Sequence, residues 1–109
     1  MAQKTLKKQD RDTREIYRVL KSHFPELPDD MDQVIYRYNP ASIRIRLVDG
    51  AFQGKSFSER EQLIEPLLET LPERIRTNIT LLLLLTPKEA KSSDDLMNLE
   101  FDKPTGSLL

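Results

Sequence analysis

No cysteine and no tryptophan occur among the 109 residues, and histidine occurs once, as His23. The first absence excludes disulfides, thiol nucleophiles and cysteine metal sites, and leaves the redox compartment open. Glycine is scarce, at three residues, and no glycine-rich phosphate loop, zinc-ligand spacing or nucleophile elbow occurs. Long apolar runs are also missing. The five consecutive leucines at 81–85 fall far short of the roughly 20 residues that a membrane span needs. The opening MAQKTLKKQDRD is basic but has no apolar stretch, so it does not read as a signal peptide. These absences lead to the expectation of a soluble, cytoplasmic protein. A length near the common domain size of roughly 100–150 residues points to one domain.

What is present is unevenly distributed. Residues 1–24 carry seven Lys/Arg against three Asp/Glu, residues 25–86 seven against ten, and residues 87–109 three against five. A basic leader attracts anionic partners or serves as a solubilising frayed end. The domain-wide basic footprint of DNA binders is absent. We expect a flexible basic N-terminus over 1–11, a folded domain over 12–87 and an apolar-containing tail over 88–109.

Ile16, Val19, Leu20 and Phe24 recur at helical spacing, with Asp12 and Glu15 as a helix start. Pro25 and Pro28 end that helix. Two runs rich in β-branched and aromatic residues then flank Asn39-Pro40-Ala41-Ser42, which predicts a hairpin with strands near 33–38 and 43–48. Ile43, Ile45 and Leu47 alternate with Arg44, Arg46 and Val48, so one face is buried and the other wet. Arg37 joins that arginine pair if the register allows. A second helix opens at Ser58, with Glu61 completing a capping box, and carries a core stripe of Leu63, Ile64, Leu67, Leu68 and Leu71. Pro66 lies inside it and predicts a kink or a break. A short helix from Pro72 and a third strand, ITLLLLL, complete the order. The strand–helix–strand crossover implies a parallel pair. The expected class is α+β: helix, strand, strand, helix, helix, strand, with a three-stranded mixed sheet and helices on one face.

The string AFQGKSFSER, running into an apolar helix and then a strand ending in LTP, resembles the BolA-like proteins. The matched positions are Ala51, Phe52, Gly54, Ser56 and Arg60, then Leu63, Ile64, Leu67 and Leu68, and finally Thr86-Pro87. The resemblance covers about residues 12–90, and the fold it implies is also related to type II KH domains. It implies a partner, a monothiol glutaredoxin, with which such proteins share an iron–sulfur cluster; some members are linked to transcription. The family's cluster histidine at the start of the last strand corresponds to Asn78 here, and its arginine–histidine pair reads Arg60-Glu61. The loop between the first strands is only NPAS. Neither imidazole nor thiolate stands at these places, so no metal or cofactor is expected.

The residues of the matched loop have two readings of their own. In one it is a corner: Phe52 plugs the core, Gly54 takes a positive φ, a serine caps the helix, and Arg60 holds carbonyls or a carboxylate such as Asp49. In the other, the helix start with Lys55 and Arg60 receives an anion or a partner's carboxylate. An enzyme is not expected, because Glu59, Glu61, Glu65, Glu69 and Glu73 spread over a helix surface rather than converging.

Two binding classes remain. Leu81, Leu82, Leu83, Leu84 and Leu85 place apolar side chains on both faces of the last strand, and something must cover the second set. Either the tail does so through Leu96, Leu99 and Phe101, or a partner protein or second copy does. The alternative is weak nucleic-acid binding through Arg37, Arg44 and Arg46, with Tyr36 or Tyr38 as a stacking platform. The KH-type grip is missing, since the linker ETLPERI has no GXXG.

Overall fold

The computed structural model describes residues 7–92 and Phe101. The chain runs through α1 (Arg11–His23), β1 (Ile35–Asn39), β2 (Ser42–Val48), α2 (Phe57–Leu68), α3 (Glu73–Arg76), β3 (Ile79–Leu85) and α4 (Pro87–Ala90). The sheet has the order β1-β2-β3, with β1 antiparallel and β3 parallel to the central β2. An α+β fold with a mixed three-stranded sheet is therefore correct.

The first helix starts earlier than its sequence cue. Asp10, not Asp12, is the N-cap: its carboxylate accepts from the Thr13 N–H at 2.9 Å, and Thr13 Oγ1 accepts from the Asp10 N–H at 2.9 Å. Asp12 is thereby free to pair with Arg37 at 3.4 Å and Arg74 at 3.1 Å. Residues ahead of the helix also belong to the fold. Lys8 forms an antiparallel bridge with Arg37, and Gln9 donates to the Ile35 carbonyl at 2.6 Å. The folded part thus begins before residue 12.

The hairpin turns at Pro40-Ala41, where Asn39 Oδ1 accepts the Ala41 N–H at 2.9 Å. Its register pairs Ile35 with Ile45, Tyr36 with Arg44 and Arg37 with Ile43. Directly opposed residues share a face. Ile35, Ile43, Ile45 and Leu47 therefore meet Ile16 and Leu20 of α1, Ile64 of α2 and Ile75 of α3 in the main core. Arg37 stands on that side and not with Arg44 and Arg46, contrary to the expected arginine trio.

The opposite face is not bare. Tyr36, Leu83, Leu85 and Phe101 form a second buried cluster, with Tyr38, Val48, Leu81 and Ala90 packed against it. Helices α1, α2 and α3 cover one face, while Ala90 of α4 and Phe101 sit on the other, so the sheet is a middle layer rather than a one-sided support.

Helix α2 passes through Pro66 and ends at Leu68, so it does not break at Pro66. Proline removes one donor, toward the Gln62 carbonyl, and only the last turn lies beyond it. The cap is Ser56 with Glu59, one S-x-x-E frame earlier than Ser58 with Glu61. In this frame Ile64 is fully buried and Leu63 turns outward, 43% exposed, so Leu63 leaves the expected stripe.

Candidate interaction surface

The loop at residues 50–56 behaves as a corner. Asp49 caps a 3-10 turn by accepting the Ala51 N–H at 2.9 Å, which carries Phe52 into the core, its ring 6.0 Å from that of Phe24. Gly54 has φ of 74°, a left-handed conformation that side chains oppose. Ser56 then starts α2, accepting the Glu59 N–H at 3.2 Å.

Arg60, one turn into α2, is buried and ties three segments together. Its Nε donates to the Lys55 carbonyl at 3.0 Å and Nη1 to the Leu84 carbonyl at 2.7 Å. Nη1 and Nη2 also fork onto Glu89 at 2.7 and 3.1 Å. Glu89 is fixed by a second capping box, in which it accepts the Thr86 N–H at 2.9 Å and Thr86 Oγ1 accepts the Glu89 N–H at 3.1 Å. The Arg60 fork, followed by the Thr86 N–H, lowers the Glu89 carboxyl from its ordinary 4.5 to about 2. An internal carboxylate, Glu89 rather than Asp49, thus takes the place that the sequence left open to an external anion. Glu89 was missed in the sequence, although T-P-K-E carries the same capping-box signature as the start of α2.

The leucine strand divides by face. Leu82 and Leu84 pack toward the main core, whereas Leu81, Leu83 and Leu85 face the second cluster. Leu83, Leu84 and Leu85 are 6%, 2% and 3% exposed, so the chain itself buries them; only Leu81 and Leu82 remain half-buried. Phe101 supplies much of that cover. Its ring stands edge-on to Tyr36 at 5.1 Å, and its carbonyl accepts the Tyr36 hydroxyl at 2.7 Å. At this residue the tail docks on its own sheet. Leu96 and Leu99 lie outside the described residues.

The arginine platform does not assemble. Arg37 is half-buried on the helix side, held by Asp10 and Asp12. The Arg44 guanidinium lies 3.7 Å over the Tyr38 ring and donates to the Tyr36 hydroxyl at 3.2 Å. Arg46 lies 4.5 Å over Phe101. The rings that would stack bases are covered by the chain's own cations.

What remains open is an edge. Among the described residues no strand pairs with the outer side of β3. Backbone groups of alternate strand residues point to opposite edges. The Leu85 carbonyl accepts the Asp49 N–H at 2.9 Å, on the β2 side, and the Leu84 carbonyl accepts Arg60. Alternation turns the Leu82 N–H and C=O outward with those of Leu84. Arg60 therefore closes the edge at Leu84, and no described residue closes it at Leu82. Beside Leu82, a groove of about 450 Å³ runs between Glu61 and Glu65 of α2, with its C-cap Glu69, and residues 79–82; Leu68 and Arg76 complete it.

His23 is exposed at the end of α1, its Nδ1 3.1 Å from Ser22 Oγ. Asn78 precedes β3, its carbonyl accepting the Ile43 N–H at 2.6 Å. Among the described residues no group of three His, Cys, Asp or Glu is placed to hold a metal ion. No helix among them is long and apolar enough to cross a membrane. No family model matches the chain, and neither does any curated protein or solved structure.

Proposed function

We propose that the chain is a small non-enzymatic interaction module of BolA-like type, which binds a protein partner along the outer edge of β3. One observation carries this reading: beside the Arg60 closure, no strand among the described residues pairs with the outer side of β3, where Leu82 adjoins a groove. An unpaired edge supplies main-chain hydrogen bonds to an incoming extended segment, and adjacent pockets select its side chains. The half-buried Leu81 and Leu82 stand on either face of this edge and gain cover when it is occupied. Leu83, Leu85 and Phe101 act as the internal support of that site. A monothiol glutaredoxin is the partner class that the resemblance implies, and with Asn78 at the family's histidine position the module binds without sharing a cluster.

The test is selection of a random displayed-peptide library on the full chain. Selected peptides are expected to protect the Leu82 amide from hydrogen exchange and to lose binding to Leu82→Pro, which removes an outward donor. Leu81→Lys, a milder change that leaves the main core intact, controls for misfolding. Selected peptides that bind both variants as well as the parent chain, or a library that yields none, would sink the reading.

A further inference from the structure

The groove beside β3 has a chemical bias that the open edge alone does not have. Glu61 and Glu65 of α2 and Glu69, its C-cap, stand four residues apart, all exposed, and line the same groove as Leu82. Four helical residues advance about 6 Å. Alternate residues of an extended strand advance about 6.6 Å. A segment added to β3 therefore presents every second side chain to the helix side at nearly the repeat of the carboxylates. Arg76 is the cation of the groove lining, and it donates to the Leu71 carbonyl at 3.2 Å.

Resting on the edge-binding reading, we infer that the partner segment is an extended basic peptide with Lys or Arg at alternate positions and apolar residues between them. The cationic heads meet the three glutamates while their methylene stems cover Leu68 and Leu82, as long charged side chains do when they lie along apolar surface. The intervening apolar residues face the other way, toward Leu81. Charge also decides against the two other occupants of an open edge. A second copy pairing β3 to β3 about a two-fold axis brings two rows of glutamate together, and like charges in register are destabilising. A nucleic-acid strand brings phosphates to the same row.

The test uses two labelled hexapeptides, alternating Lys/Val and its Glu/Val counterpart, titrated by fluorescence anisotropy into the full chain. The Lys/Val peptide is expected to bind about tenfold tighter at low salt, the combined effect of three exposed ion pairs. That preference is expected to shrink toward 1 M salt, where screening reaches about 3 Å. The variant Glu61→Gln/Glu65→Gln/Glu69→Gln removes charge from exposed positions only and is expected to abolish the preference, and E61K/E65K/E69K to reverse it. Equal binding of the two peptides, or a preference that survives in the glutamine variant, overturns the inference. Loss of Lys/Val binding in Leu82→Pro and Leu81→Lys but not in the glutamine variant keeps the edge and removes the acidic row. Loss in the glutamine variant alone removes the edge.

Discussion

Arg60 occupies a position that sequence leaves ambiguous, because a buried guanidinium serves equally as an anion receptor and as a brace. The structure decides by satisfying it: two carbonyls and one carboxylate converge on it. Arg60→Ala is expected to cost about 1.5–3 kcal/mol in urea unfolding, the range for hydrogen bonds to a charged group. Arg60→Lys is expected to recover little of this, since an ammonium does not form the two-pronged contact. The pH dependence follows from the Glu89 carboxyl, lowered from 4.5 to about 2 in the folded state. A depressed carboxyl contributes stability that is present above the unfolded value and lost as pH falls from 4.5 toward 2. Glu89→Gln is therefore expected to flatten the fall of the urea midpoint across that window. Parallel midpoint curves for parent and variant would show that the fork is energetically idle.

The elements themselves were largely legible. Alternation of Ile43, Ile45 and Leu47 around Asn39-Pro40-Ala41 announces the hairpin, and the length of the crossover announces the parallel third strand. What sequence did not settle is which of two overlapping frames each element uses. Ser56 and Ser58 both stand three residues before a glutamate, and local chemistry does not separate them. Burial does, since the Ser56 frame turns Ile64 and Arg60 inward and leaves Phe57 72% exposed. Ser56→Ala is expected to destabilise by about 1 kcal/mol. Ser58→Ala is expected to stay within about 0.5 kcal/mol in the same thermal or urea measurement. Arg37 was misplaced for a related reason. A single step in strand register reverses a side chain's face, and only the pairing with Ile43 fixes it. The candidate site was half visible: the leucines signalled that the second face needs cover. The glutamates of α2, by contrast, read as a solvated stripe until the groove placed them beside Leu82.

At the scale of the molecule, the two ends of the described chain meet on the second face of the sheet. Lys7 Nζ lies 5.3 Å from the centre of the Tyr36 ring and 4.8 Å from that of Phe101. Phe101→Ala is expected to cost about 3 kcal/mol, the lower range for a buried phenylalanine. It uncovers Leu83 and Leu85 together, so increased binding of a hydrophobic dye and concentration-dependent sedimentation are expected with it. An unchanged sedimentation coefficient across concentration would mean that other residues hold the cover in place. The bridge from Lys8 to Arg37 has an effect at this scale as well. It occupies β1, the opposite border of the sheet, at Arg37, whose N–H donates to the Lys8 carbonyl at 2.9 Å. A sheet that grows by lateral addition needs two receptive borders on every unit, one to receive and one to offer. Among the described residues the β1 border is engaged at Arg37 and the β3 border is not, so under the proposed edge binding recruitment is expected to end at one-to-one and not to propagate into a fibre.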